Sequence, residues 1–135
     1  MGLFGMIKMI RDEKKRIAAY LKMDAEALSR LSEEELCEAL RERILCEEDE
    51  MDTLECLDVF KGAKRVFYVV NYFDMEVQNG GLCQYFVNSS RDTAPYLLTC
   101  LNEIGAARYE LLVRNFVTDN GINLNCLESF EIKDV

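Results

Sequence analysis

Hydrophobic positions recur along the chain with helical spacing. Leu3, Ile7, Ile10, Ile17 and Leu21 fall on one stripe while Lys8, Arg11, Lys14, Lys15 and Arg16 gather on the polar part, predicting a basic amphipathic helix over residues 3 to 22. Asp24 is placed to cap a short helix through Leu31, and Ser32 with Glu35 spells a capping box that starts the next. That helix has an apolar face of Leu36, Cys37, Leu40 and Ile44. At about 100° per residue, Glu35, Glu38, Glu42 and Asp49 fall on the opposite side. Acids at a helix C-terminus oppose its dipole, so Glu47-Glu48-Asp49-Glu50 is where the break is expected, with Asp52 or Thr53 capping the helix beyond it.

From Thr53 a helix or pair of helices runs through Leu54, Leu57, Phe60, Ala63, Phe67, Val70 and Val77 to Asn79-Gly80-Gly81. Gly62 is its weak point, because glycine costs about 1 kcal/mol relative to alanine in a helix interior. The run Val66 to Val70 is also strand-like, and helix is favoured because the 3.6 spacing extends beyond it on both sides. Gly and Asn tolerate a left-handed C-cap, so Asn79-Gly80-Gly81 is expected to stop one helix and let another start in a new direction. Gln84 and Asn88 then lie four apart on the restarted helix, within reach of Glu76 and Asn79. A short helix from Leu82 to Asn88 is followed by one capped by Asp92 or Thr93, with Pro95 in its first turn and its end at Gly105. Ala106 to Val117 forms one more, Asp119-Asn120-Gly121 is a turn, and the tail from Ile122, carrying Phe130 and Ile132, is expected to dock on the body or on a second copy. The expected architecture is all-α: one compact domain over residues 1 to 135, of about six helices, with an Asn-Gly-Gly corner between two core helices.

Charge sharpens this outline. The net charge of −9 disfavours direct nucleic-acid binding and favours basic partners. Residues 33 to 58 hold twelve acids and two bases, a net of −10, which leaves the rest of the chain at +1. The basic helix over 3 to 22 is therefore open to two readings: a membrane-surface or partner-binding helix, or one packed on the domain with its cations toward the acidic segment. The second is favoured, because soluble amphipathic helices usually bury their stripe internally. Six cysteines without a Cys-x-x-Cys pair, and no histidine, read as buried free thiols in a reducing cytoplasm and not as a zinc site. No window approaches the roughly 18 uninterrupted apolar residues of a membrane span, and the opening Met-Gly-Leu-Phe-Gly-Met lacks the Ser or Thr of a myristoylation signal.

The order Glu76, Asn79-Gly80-Gly81, Gln84, Phe86 and Asn88, with Ile104-Gly105-Ala106 further on, resembles the signature of a bacterial family named after a DNA-mimic protein. The likeness covers about residues 55 to 118, preceded by the basic and acidic helices of residues 3 to 50. It implies the family's all-helical C-terminal domain, and makes DNA mimicry a hypothesis that this chain's own charge must support. The chain departs from the pattern at Leu82 and Tyr85, where phenylalanines are expected, and at Ser89-Ser90, where a glycine is expected.

Three functions are open, in order of expectation. The first is an acidic, non-enzymatic, cytoplasmic interaction domain, a DNA mimic that offers Glu34, Glu35, Glu38, Glu42, Glu48, Asp49 and Asp52 to a basic, DNA-binding protein. If residues 33 to 58 formed one helix, they would span about 39 Å, or roughly 3.9 Å per net charge, near the 3.4 Å per phosphate of one DNA strand. Two copies would imitate a duplex better, so a homodimer is the expected mimic. The second is a helical scaffold module whose acidity serves solubility. The third is a hydrolase-like enzyme using Glu76, Asn79, Gln84 and Asn88 with Glu76 as base; with no histidine, phosphate loop or metal motif, no catalytic, cofactor or metal residue is assigned. The motif residues Glu76, Asn79, Gly80, Gly81, Gln84, Phe86 and Asn88 are instead read as a structural network that satisfies helix ends.

Overall fold

Side-chain caps set three of the helix starts. In a computed structural model, which describes residues 2–126, the chain is all-α: seven α-helices and one 3-10 turn, with no strand among the described residues. The helices are α1 (Leu3–Lys22), α2 (Ala25–Ser29), α3 (Glu33–Glu48), α4 (Thr53–Val59), α5 (Ala63–Val87), α6 (Ala94–Glu103) and α7 (Ala107–Asp119); the 3-10 turn is Ser89–Thr93. Asp24, Ser32 and Asp52 each accept a hydrogen bond from a backbone N–H in the first turn of the helix they open, and Ser32 with Glu35 completes the capping box. The 2–126 limit leaves Phe130 and Ile132, and with them the docking expected of the tail, outside the described residues.

The chain divides into two compact units, Met1–Glu50 and Met51–Val135. In the first, α1 and α2 pack on α3 around a thin core of Tyr20, Ala39 and Ile44. Arg43 donates from Nη1 to the carbonyls of Tyr20 (3.1 Å) and Met23 (2.8 Å), placing a cation on the orphan carbonyls at the end of α1. Cys37, expected on the apolar face of α3, is exposed, and Ala39 is buried in its stead.

In the second unit α5 packs on the 3-10 turn and α6, and α6 on α7. Its core holds Phe60, Tyr68, Val69, Phe73, Tyr85, Phe86, Leu97, Leu101 and Val113, each burial contributing about 1.5–3 kcal/mol for a large apolar side chain. The aromatic rings meet edge to face: Phe60 with Tyr68 at 5.2 Å, Phe73 with Tyr85 at 5.3 Å, and Tyr85 with Phe86 at 5.0 Å. The strand-like run over Val66 to Val70 lies wholly inside α5. Gly62, with φ 60°, separates α4 from α5, so the weak point of the long periodic run is a break between two helices.

At Asn79-Gly80-Gly81 two helical arms meet across a kink. Helix α5, Ala63–Val87, is interrupted where Gly80 (φ −157°, ψ 17°) and Gly81 (φ 75°, ψ −171°) leave helical geometry. The result is a kink inside one element. The positive φ falls on Gly81, while the φ of Gly80 is an extended one. The turn after α5 was not foreseen. No side chain caps α6, which is entered from the 3-10 turn with Pro95 in its first turn. Ser90 and Thr93 are completely buried there, with Ser90 Oγ donating to the Tyr85 carbonyl (2.9 Å) and Thr93 Oγ1 to the Ser90 carbonyl (2.7 Å). Thr93 Oγ1 also shares a 2.6 Å hydrogen bond with the Tyr85 hydroxyl.

Candidate functional site

The kink gathers part of the motif around one carboxylate oxygen. Glu76 lies one turn before Gly80; its Oε2 accepts hydrogen bonds from Gln84 Nε2 (2.8 Å) and from Asn88 Nδ2 (3.0 Å), both on the far side of the kink. Two donors on one charged acceptor tie the two arms of α5 together. Gly80 is required by proximity: a Cβ there would lie 2.0 Å from Gln84 Oε1 and 2.9 Å from Gln84 Cβ, so the Gln84 side chain occupies that space. Gly81 is required by conformation, since its φ and ψ fall where only glycine is comfortable. Phe86 is fully buried, stacked on Phe116 at 5.4 Å with the rings 9° from parallel. Asn79 stands apart, exposed just before Gly80. The structure thus brings Glu76, Gln84, Asn88 and Gly80 together, puts Phe86 in the core, and leaves Asn79 outside the cluster.

All of these residues fall inside a single family match. The profile of the DMP19-like protein family, named for a DNA mimic protein, matches residues 58–133. The chain belongs to the DMP19-like family. No curated protein and no solved structure matches it significantly. The DMP19-like family is not a known enzyme family. At the kink the Glu76 carboxylate is bound by two carboxamides, which can donate to it but not readily exchange a proton with it.

The acidic residues ahead of the matched region divide by what each already does. Glu35 is committed to the capping box, its Oε1 accepting from Ser32 Oγ (2.9 Å) while its N–H donates to Ser32 Oγ (3.2 Å). Asp52 caps α4 through a 2.9 Å bond from the Glu55 N–H. Glu38, expected on the solvated stripe, faces α1: Arg16 Nη2 donates to its Oε1 (2.9 Å) and the Tyr20 hydroxyl to its Oε2 (3.1 Å). Burial first, and then the Glu38 carboxylate, pushes the Tyr20 phenol above its ordinary range. Glu34 and Asp49 are exposed, and Glu42 and Glu48 are half-buried. The surface open to a partner on α3 is therefore narrower than seven carboxylates.

The acidic run is also not one helix. It is cut after Glu48, and Asp52 belongs to the second compact unit. Helix α3 alone carries seven acids and two arginines over about 24 Å, roughly one net charge per 4.8 Å, sparser than the phosphates of a DNA strand. Arg16 reaches the acidic segment as the packed reading of α1 expects, whereas sequence reasoning missed Tyr20 and Arg43, the other contacts that set α1 on α3. Arg16 and Tyr20 are four apart on one face of α1, a spacing that two donors to one carboxylate require, and that was the available signal.

Proposed function

We propose that this protein is a non-enzymatic DNA mimic of the cytoplasm, in which carboxylates of α3 stand in for phosphates and engage a basic, DNA-binding protein. Membership of the DMP19-like family carries the reading. Support comes from the charge: residues 33 to 50 hold nine acids against two arginines, and Glu34 and Asp49 are exposed. Because α3 alone is sparser in charge than a DNA strand, a pair of chains matches a duplex better, and the mimic is proposed to act as a homodimer.

The test neutralises carboxylates that take no part in the capping box or the contact with α1. Glu34→Gln, Glu42→Gln and Asp49→Asn together leave the Ser32–Glu35 box and the Arg16–Glu38 pair in place. The triple variant is expected to keep its helicity and melting temperature while losing a basic protein that the parent retains from its own cytoplasmic extract at low salt. Duplex DNA should displace that protein, and salt should weaken the contact as screening shortens to about 8 Å. Retention by the triple variant, or failure of DNA to compete, defeats the mimic and favours a helical scaffold whose acidity serves solubility.

A further inference from the structure

Helix α1 presents apolar side chains that nothing in its own unit covers. Leu3, Phe4, Ile7 and Ile10 are 70%, 87%, 44% and 48% exposed, although Leu3, Ile7 and Ile10 are the start of its hydrophobic stripe. Helix α3 meets a different flank. At about 100° per residue, Tyr20 and Arg16, the residues that bond Glu38, lie roughly 100° to 140° around α1 from Leu3. The opposite flank carries exposed Lys8, Arg11 and Lys15, while Lys14 lies on the line of the stripe itself, one turn beyond Ile10. Residues 1 to 22 hold six bases and two acids, a net of +4 in a chain of −9, so the other 113 residues stand at −13.

An occupant of this face must bury a row of apolar side chains and supply negative charge along one side of it. The acidic α3 of a second copy has the charge but a smaller apolar surface, since its exposed positions are Glu33, Glu34, Glu35 and Glu47 beside Cys37, Leu45 and Cys46. The α1 of a second copy has the apolar surface but sets Lys14 and Arg11 against like charges. An anionic bilayer surface supplies both, with acyl chains for the stripe and headgroup phosphates for the cations, over the roughly 30 Å length of a 20-residue helix. We propose that α1 is an in-plane anchor that binds anionic lipid bilayers, its Leu3, Ile7 and Ile10 edge inserted below the headgroups and Arg11, Lys14 and Lys15 at phosphate level. This is a peripheral attachment; no helix among the described residues is long and apolar enough to cross a membrane. It is independent of the DNA-mimic reading.

The experiment is co-sedimentation of the whole chain with vesicles of phosphatidylglycerol and phosphatidylcholine, beside vesicles of phosphatidylcholine alone. The parent is expected to sediment with the anionic vesicles, be released by salt, and stay in solution with the neutral ones. Removing Arg11 and Lys15 as alanines should weaken binding by about five-fold per cation. Ile7→Glu with Ile10→Glu should abolish it, and circular dichroism should show an unchanged fold because these positions are exposed and take no part in the Arg16–Glu38 contact. Two results overturn the proposal: no sedimentation with anionic vesicles, or equal sedimentation with both kinds. A third does so as well: a parent that is dimeric in sedimentation equilibrium, becomes monomeric on Ile7→Glu with Ile10→Glu, and ignores vesicles. The stripe is then a contact between copies.

Discussion

At Gly81 the backbone takes φ 75° and ψ −171°, which a Cβ makes strained, so Gly81→Ala is expected to destabilise by about 1–3 kcal/mol, seen as a lower urea midpoint. Gly80 fails for another reason. Its φ of −157° suits any residue, and the obstacle is the Gln84 side chain, 2.0 Å from where a Cβ would stand. Gly80→Ala should therefore cost less in a Gln84→Ala background, which removes the Oε1 and Cδ contacts and keeps only the Cβ at 2.9 Å, a coupling that a double-mutant cycle measures and that a pure backbone effect would not give. Thr93→Val keeps the shape but leaves the buried Tyr85 hydroxyl without its 2.6 Å partner, for an expected loss of about 1–3 kcal/mol in the same assay. The thiols divide as well. Burial is expected of most of the thiols, but Cys37, Cys46 and Cys126 are exposed and Cys83 is half-buried, whereas Cys56 and Cys100 are buried, and burial pushes the Cys100 thiol up. Native labelling should be fast at the three exposed positions and absent at Cys56 and Cys100 until the chain unfolds.

Helix starts were legible because capping is local chemistry. Asp24, Ser32 and Asp52 each bond an N–H three residues on, a partner that sequence alone supplies, and Ser32→Ala should cost about 0.5–2 kcal/mol through loss of the box that opens α3. The Glu76, Gln84 and Asn88 cluster was legible for a similar reason, since helical spacing puts Gln84 and Asn88 on one face and the glycines bend that face toward Glu76. What spacing could not give is which neighbour covers a face. A helical wheel put Glu38 on the solvated side of α3, but the neighbour on that side is α1, and Arg16 and Tyr20 claim it. The 3-10 turn escaped for the same kind of reason: Ser90 and Thr93 look like polar linker residues until the Tyr85 hydroxyl and carbonyl arrive to bond them. Glycine in the long periodic run separates α4 from α5 at Gly62 and kinks α5 at Gly80-Gly81.

Across the molecule, the buried phenols of Tyr20 and Tyr85 give stability a common dependence on alkali. Burial raises both the Tyr20 and Tyr85 hydroxyls above the unfolded value of about 10, so the folded state holds its protons longer than the unfolded state does. Their contribution is complete below about pH 10 and declines as pH climbs beyond it, which predicts a urea midpoint that falls between about pH 8 and about pH 11, and falls less in a Tyr85→Phe variant. The contact pattern, with residues Met51–Val135 forming one compact unit that holds all of the family match, predicts that residues 51 to 135 made alone are helical and melt in one cooperative step by circular dichroism.

The chain has six tyrosines and no tryptophan, so its ultraviolet emission comes from phenols alone. Only Tyr20 belongs to the first unit, and it is held against Glu38; the other five, Tyr68, Tyr72, Tyr85, Tyr96 and Tyr109, belong to the second. Subtracting the fluorescence of a Tyr20→Phe protein from that of the parent isolates the glow of one ring wedged between α1 and α3. The difference signal tracks the parting of those two helices, whatever causes it, without any dye attached.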